Sequence, residues 1–331
     1  MTAAIRRRNP QRAMANIGLL LVWLVVRQVW RVVRPFAGPH LGRLRQHRPR
    51  ALRVKTRAAP VLEHYPRISL VTPSFNHGRF LERTLRSVLS QNYPNLEYVV
   101  QDGGSSDDSL QIVRRHADRL SHWQSTVDGG QAQALNLGFA RTGGEIMGWL
   151  NSDDILLPGS LATVAEHFVA HPEVDVVYGH RLLIDEDDRE IGRWVMPEHC
   201  DRVLGWVDFV PQETLFWRRS LWERCGARID ESFRFAMDWE LLLRFREAGA
   251  VMCRLPYFLG AFRVHTLQKT QTEIDSGGQA EMMRLRRRAH GREVGYQEIW
   301  FGAVPYLFRH MQEHWKLAMR SGRDTYETYR P

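Results

Sequence analysis

The chain is predicted to fold as an α/β protein, a mainly parallel sheet flanked by helices, on three observations. From Pro66 onward, short apolar runs of strand length alternate with segments whose apolar residues recur at helical spacing. Turn formers separate them, as in Asn92-Tyr93-Pro94 and Gly103-Gly104-Ser105-Ser106. The acids Asp102, Asp128, Asp153 and Asp154 each follow a strand, so they gather on loops at one sheet edge, where open α/β sheets bind ligands.

The elements follow in order. Ile68-Ser69-Leu70-Val71-Thr72 reads as the first strand; Gly78 to Gln91, with Phe80, Leu81, Leu85, Val88 and Leu89 on one stripe, reads as a helix. Leu96 to Gln101 is the second strand, followed by a turn and a helix to about His116 for which Ser106 is a suitable N-cap. A strand near Trp123 to Val127, a helix from Gln131 to Arg141 and the strand Ile146 to Leu150 come next. A helix from Pro158 to His171 and the strand Val174 to Tyr178 complete the regular alternation. Beyond it a hairpin turns at Asp185 to Asp188, and a helix holds Met237 to Arg244, with Trp239, Leu242, Leu243 and Phe245 able to pack inward.

Charge is distributed unevenly. The 331 residues carry a formal net charge of +9. Residues 1–62 hold 14 Arg and Lys and no Asp or Glu, leaving 32 basic against 37 acidic residues, a net of −5, in the remainder. A nucleic-acid enzyme would carry its positive field on the folded domain, so nucleic acid is excluded as the partner. The arm contains the apolar run Ile17 to Val26, shorter than the roughly 18 to 20 residues a spanning helix needs. Arg27, Arg31 and Arg34 then recur at helical spacing, the layout of an amphipathic helix lying in an interface, and Arg6 to Arg8 and the cluster from Arg43 to Arg57 add attraction to anionic lipid. Peripheral contact with the cytosolic face of a membrane is therefore expected. Cys200, Cys225 and Cys253 follow no paired or metal-ligand spacing.

The segment Trp149-Leu150-Asn151-Ser152-Asp153-Asp154 puts adjacent carboxylates where a strand runs out. Two neighbouring acids repel unless a cation or hydrogen-bond donors lie between them, and Mg²⁺ or Mn²⁺ prefers such oxygen ligands. A metal-bridged phosphate is one reading; a solvated turn capping the next helix is the other. No G-x-G-x-x-G follows the first strand, where Thr72-Pro73-Ser74-Phe75-Asn76 stands instead, and no Walker sequence occurs.

Taken together these motifs, from about Ile68 to Lys269, resemble glycosyltransferase family 2, the inverting enzymes of the GT-A fold. The resemblance implies that Thr72, Pro73, Ser74 and Asn76 open the nucleotide site and that Asp102 contacts the base or ribose. Asp128, Gln131 and Asn136 would belong to a third nucleotide-side loop, and Asp153 to the acidic motif on the nucleotide sugar. It also implies Asp153, Asp154 and His265 as the metal group, Mn²⁺ or Mg²⁺ as cofactor, and Asp238 as catalytic base. Arg263 or His265 is expected near the leaving diphosphate. Position 151 is Asn where many relatives have Asp, and Met-Asp stands at 237–238 where Glu-Asp is common.

The expected organisation is thus a basic arm over 1–62, a GT-A domain over 63–270 and a helical C-terminal extension over 271–331. The expected activity is transfer from a nucleotide-diphospho-sugar donor to a glycan or lipid-linked acceptor in cell-surface polysaccharide synthesis. A non-catalytic nucleotide-sugar-binding subunit and a nucleotidyltransferase remain the alternatives.

Overall fold

The computed structural model describes residues 44–54, 62–266, 268 and 277–320, together with Gln28 and the pair 327–328. The amphipathic helix expected in the arm lies outside the described residues. Among the described residues, no helix is long and apolar enough to cross a membrane.

The first strand of the main sheet, β1 (Ile68–Ser74), is buried along its whole length. It leads to helix α1 (Gly78–Leu89), which buries Phe80, Leu81, Thr84, Leu85, Val88 and Leu89 and stops before Asn92, a left-handed residue at φ 47°. Then come β2 (Leu96–Asp102), α2 (Ser109–Arg115), β3 (His122–Ser125), α3 (Gln131–Phe139) and β4 (Ile146–Trp149). Strand β1 pairs in parallel with β2 and β4, and β2 with β3, so their carboxyl ends point to one edge. Side-chain alternation sorts the core into two layers. Ile68, Leu70, Tyr98, Val100 and Ile146 pack under α1 and α4 (Ser160–Ala170), whereas Val71, Val99 and Met147 face α3 on the opposite side. Gly138 lets α3 close onto β1, since a Cβ there would meet Val71 Cγ1 at 2.4 Å.

The second half of the sheet departs from a simple parallel series. After β5 (Ile155–Leu156), strand β6 (Val176–Ile184) turns at Asp185–Asp188 into the antiparallel β7 (Glu190–Trp194), as the acidic turn predicts. Strand β6 does not lie beside β4. The three-residue β8 (Phe216–Arg218) enters between them, antiparallel to both, and β9 (Met252–Arg263) then runs parallel to β6. The full order is β3-β2-β1-β4-β8-β6-β9-β5. Gly148 permits this insertion, because Phe216 of β8 occupies the space its side chain would take.

Helix α5 (Asp201–Leu204), helix α6 (Arg219–Arg224) and helix α7 (Met237–Glu247) cover the second layer. Two longer helices, α8 (Gln279–His290) and α9 (Tyr296–Arg320), follow. Leu285 of α8 and Tyr306 of α9 are buried in the same core cluster as α7, so the C-terminal helices pack on the sheet domain.

Candidate active site

The loop after β4 separates the two adjacent acids by function. Asp154 turns into the protein: its Oδ1 accepts the Arg263 backbone N–H at 2.9 Å, its carbonyl accepts Thr84 Oγ1 at 2.7 Å, and it is 1% exposed. Burial first, and then the charges of Asp153 and Glu213, push its carboxyl well above the usual carboxylate range. Asp153 points the other way, its Oδ2 lying 2.9 Å from His265 Nε2. Burial alone would raise Asp153, but the His265 hydrogen bond and the charge of His77 hold it below the ordinary value. Of the predicted metal group, Asp153 and His265 come together and Asp154 does not join them.

Arg263 is fully buried beneath this loop. Its guanidinium donates to the carbonyls of Asp153 at 2.7 Å and Asp185 at 3.0 Å, and pairs with Asp188 at 2.5 Å. It braces the loop from behind, instead of facing a leaving group as the sequence suggested. His77 bonds Ser152 Oγ at 2.7 Å through Nδ1 and stands edge-on to the His265 ring.

The Asp153–His265 pair fits a divalent ion by a simple distance test. Two cis ligands of an octahedral ion at ~2.1 Å stand about 3.0 Å apart, which matches the 2.9 Å between Oδ2 and Nε2. Among the described residues, no three His, Cys, Asp or Glu side chains form a ready-made cage. Asp153 and His265 are the two side chains here that could hold such an ion, the other positions falling to phosphate oxygens and water.

Asp238, in the first turn of α7, lines a cavity of about 260 Å³ together with Asn151 and Asp154 of the β4 loop and Gln131 at the start of α3. An amide relay forms one side. Gln131 Nε2 donates to Asn151 Oδ1 at 2.7 Å, Asn151 Nδ2 donates to Gln212 Oε1 at 3.0 Å, and Gln212 Nε2 donates to the Trp149 carbonyl at 2.9 Å. Asn at position 151, unlike Asp, supplies both the acceptor and the donor this relay needs. Trp149, Trp194, Phe209, Phe235, Trp239 and Phe262 supply aromatic walls. Arg181 on β6 forms a two-pronged ion pair with Glu213, and Asp208 completes the acidic lining. Asp208 is pushed well above the usual carboxylate range by desolvation and then by the charge of Asp238.

The segment that delivers Asp238 is held from outside the sheet domain. Both oxygens of Glu281 on α8 accept backbone N–H groups of Arg234, Phe235 and Ala236, each at 2.9 Å. The Asp238 carboxylate itself accepts the Trp239 N–H at 2.9 Å.

The other predicted residues sit on the carboxyl edge of β1 to β3 with differing roles. Thr72 is buried and bonds Tyr98 at 2.9 Å, and Pro73 continues the strand opposite Gln101. Ser74 is 5% exposed and its Oγ has no partner. Asn76, at φ 54°, accepts the Ser106 N–H at 2.9 Å, tying the first two loops together. Asp102 is fully buried and accepts Ser105 N–H, Ser105 Oγ and Ser125 Oγ, so its carboxylate is committed within the turn. Asp128 Oδ1 accepts the Gly130 N–H at 2.9 Å while its Oδ2 is buried without a partner. Asn136 bonds the Ile229 backbone and Glu231, and so anchors α3 instead of reaching the edge loops.

Several lining residues escaped the sequence reading. Phe75, 61% exposed between Ser74 and Asn76, had a signal in its own motif, an aromatic ring in a loop flanked by polar residues. Trp217 is fully buried in the core, and Arg218 caps the carbonyls of Phe168, His171 and Val174. Arg181, Asp208 and Glu213 carried no local signal, because only the β6–β9 register and the loop after α5 bring them to Asp238.

Comparison with known proteins now assigns the family. The family model described as Glycosyl transferase family 2 matches residues 69–264, more than half of the chain. The O-antigen biosynthesis protein RfbC of Myxococcus xanthus is 34% identical over 192 residues, covering 56% of this chain and 15% of that protein. An uncharacterized glycosyltransferase of Mycobacterium tuberculosis is 32% identical over 194 residues, covering 57% and 70%. Among solved structures, Staphylococcus aureus TarS 1-349 in complex with UDP-GlcNAc aligns with a TM-score of 0.56 at 18% identity, covering 74% of this chain and 73% of that one. The mannosyltransferase PcManGT of Pyrobaculum calidifontis, in complex with GDP-Man and Mn²⁺, aligns with a TM-score of 0.55 at 19% identity over 95% and 86%. These likenesses establish the GT-A fold. With its motifs, its sheet and its matched span in agreement, the chain belongs to glycosyl transferase family 2 and is a glycosyltransferase.

Proposed function

We propose that this protein is a metal-dependent inverting glycosyltransferase that moves a sugar from a nucleotide-diphospho-sugar to a hydroxyl of a glycan or lipid-linked acceptor, in cell-surface polysaccharide synthesis. The supporting observation is that Asp238 shares one cavity with Gln131, Asn151 and Asp154, residues of the edge loops that follow β3 and β4. Donor complexes of two proteins of the same fold, with UDP-GlcNAc and with GDP-Man, favour a nucleotide sugar as the donor. The relationship to an O-antigen biosynthesis protein favours a surface glycan as the product. The basic arm supports peripheral attachment to the cytosolic membrane face.

An acceptor hydroxyl is too weakly acidic to attack unaided. Asp238 accepts its proton as the hydroxyl oxygen bonds to the anomeric carbon, while the bond from that carbon to the phosphate oxygen breaks and the electron pair leaves with the nucleoside diphosphate. One displacement from the opposite face inverts the anomeric centre. Asp153 and His265 would hold Mn²⁺ or Mg²⁺, which when bound supplies charge neutralisation on the diphosphate. Ser74, Asn76, Asp128 and Gln131 line the donor edge, with Phe75 offering a ring face; Thr72, Pro73 and Asp102 shape the loops that carry them, and Asn136 anchors α3 behind them.

The decisive experiment incubates the full chain with a panel of sugar nucleotides, Mn²⁺ and acceptor glycosides. Release of nucleoside diphosphate is expected, and Asp238→Asn should lower it by about 10²–10⁴-fold while nucleotide binding persists. Pyrophosphate as the released product, or an Asp238→Asn enzyme as fast as wild type, would overturn the reading.

A further inference from the structure

Helix α9 carries apolar residues on two opposite sides. Gly302, Tyr306 and His310, spaced one turn apart, form the packed side: Tyr306 and His310 are buried, and a Cβ on Gly302 would meet Trp206 Cγ at 2.3 Å. At 3.6 residues per turn, Trp300, Val304, Phe308, Met311, Trp315 and Met319 gather within an arc of about 100° on the other side. Phe308 is 54% exposed, Trp315 50% and Met319 81%, so this arc faces solvent along its C-terminal half. From Trp300 to Met319 no charged residue falls within it. Exposed Arg309 lies along one border, with Lys316, which donates to Glu313 at 2.6 Å. Tryptophans among apolar neighbours, edged by cations, are the layout of a helix lying in a membrane interface.

The place of this face in the fold identifies what it meets. The basic arm is rooted on strand β7: the backbone N–H groups of Gln46 and His47 donate to the Ile191 carbonyl at 2.8 and 3.2 Å, and the Arg193 N–H donates to Gln46 Oε1 at 3.1 Å. Helix α9 comes within electrostatic reach of the same strand, since burial and then the charge of Arg193 hold His314 below its ordinary value. Past α9, Glu327 and Thr328 pair with Val54 and Arg53 of the arm. The chain from Arg320 to Glu327 spans at most about 25 Å, so the end of the helix lies within that reach of the arm's root. Residues 1–62 bring 14 Arg and Lys and no acid to this neighbourhood. An anionic lipid surface complements that charge, whereas a second copy docked on the same face brings a second arm of like sign.

We infer that the exposed face of α9, through Phe308, Trp315 and Met319, rests in the interfacial layer of a membrane bearing anionic lipid and holds the body of the enzyme to the bilayer at a second place besides the arm. This extends the peripheral attachment proposed above and rests on that reading for the sign of the lipid charge. The contact also sets the distance to the reacting groups. Tyr306, on the packed side of α9, stacks on Phe209 with ring centroids 4.4 Å apart, and Phe209 lines the Asp238 cavity. One helix diameter, about 10 Å, therefore separates the lipid surface from the cavity wall, close enough for an acceptor anchored in that surface to reach Asp238.

The test is co-sedimentation of the full chain with vesicles of phosphatidylcholine alone or mixed with an equal part of phosphatidylglycerol. Wild type should bind the mixed vesicles more tightly than the neutral ones. The triple variant Phe308→Ser, Trp315→Ser, Met319→Ser should bind the mixed vesicles about tenfold or more weakly, the loss expected from removing three apolar side chains from the interface. Exposed positions tolerate such changes, and Trp315→Gln alone, expected to weaken binding several-fold, carries the test if the triple variant does not fold. The arm is tested separately by Arg6→Gln, Arg7→Gln, Arg8→Gln. If that variant weakens while both α9 variants bind as wild type does, the inference is overturned and the arm reading stands. If the α9 variants weaken while the arm variant binds unchanged, the arm reading fails and the inference stands. Equal binding of wild type to neutral and mixed vesicles overturns it, as does a dimer, seen by sedimentation velocity, that the triple substitution dissociates without changing vesicle binding.

Discussion

Asp153 and His265 stand 112 residues apart in the chain and 2.9 Å apart in space, Oδ2 against Nε2. Strand β9 delivers the histidine: Ala261 pairs with Ile155 across β5, and the Arg263 N–H bonds Asp154, so His265 emerges opposite Asp153. As the proposed protein ligands of a divalent ion, the pair makes stability depend on metal. At 100 times its Kd, Mn²⁺ should stabilise the fold by about 2.7 kcal/mol, read as a rise in Tm. Asp153→Asn should abolish that rise, and a variant that keeps the full increment would show that the ion binds elsewhere.

Glu281 lies outside the span matched by the family model, yet its carboxylate gathers three backbone N–H groups immediately before Asp238. Removing it frees the approach to α7, and misplacement of a reacting group by about 1 Å costs on the order of 10²-fold. Glu281→Ala should therefore lower kcat by tenfold or more while leaving KM for the sugar nucleotide within about twofold, because the donor loops are untouched. Steady-state kinetics with both substrates varied separates the two; a change confined to donor KM would contradict this role.

The relay through Asn151 predicts an asymmetric cost for restoring the commoner acid. Asn151→Asp keeps the acceptor for Gln131 but sets a carboxylate oxygen against Gln212 Oε1, and Gln212 cannot flip without losing the Trp149 carbonyl. The loss of a buried hydrogen bond with unsatisfied partners costs about 1–3 kcal/mol. Urea denaturation should show a lower midpoint with an unchanged m-value.

A pH dependence of stability follows from two buried histidines. Burial first, and then the nearby Arg254 and His310, pushes His180 down to about 3. Burial and then His314 push His310 down to about 4. Both are neutral in the fold and take up a proton on unfolding below their ordinary value near 6.5. The unfolded chain thus binds more protons between about pH 4 and 6.5, and stability falls as pH drops through that window. At pH 5 each histidine should cost about 2 kcal/mol relative to pH 7.5. His310→Leu should flatten the profile of Tm against pH; a profile of unchanged slope would remove His310 from the account.

The legible parts of this molecule are those set by local periodicity. Strand Ile68–Ser74, helix Gly78–Leu89 and helix Met237–Glu247 follow from apolar spacing, and the loops bearing Asp102, Asp128 and Asp153 fall at strand ends because parallel neighbours share a direction. What periodicity does not carry is which side of a loop an acid faces. Asp153 and Asp154 are chemically identical neighbours, and only the Arg263 N–H arriving from β9 turns one inward and leaves the other for His265. Asp102 likewise matched a family motif, while Ser105 and Ser125 enclose it. Strand β8 was hidden because three residues give too little alternation to register, and Arg181 and Glu213 meet only after that strand is in place.

Strand β8 also has a consequence for how the molecule is made. Among the described residues, the strand ladder passes from the first half of the sheet to the second through Phe216–Arg218, which pairs with β4 on one side and β6 on the other. During synthesis from the N-terminus the first half can assemble early, yet its β4 flank stays an open edge until residue 218 has left the ribosome. The long wait between making β4 and closing its edge marks the interval in which the nascent polypeptide most needs shelter from self-association.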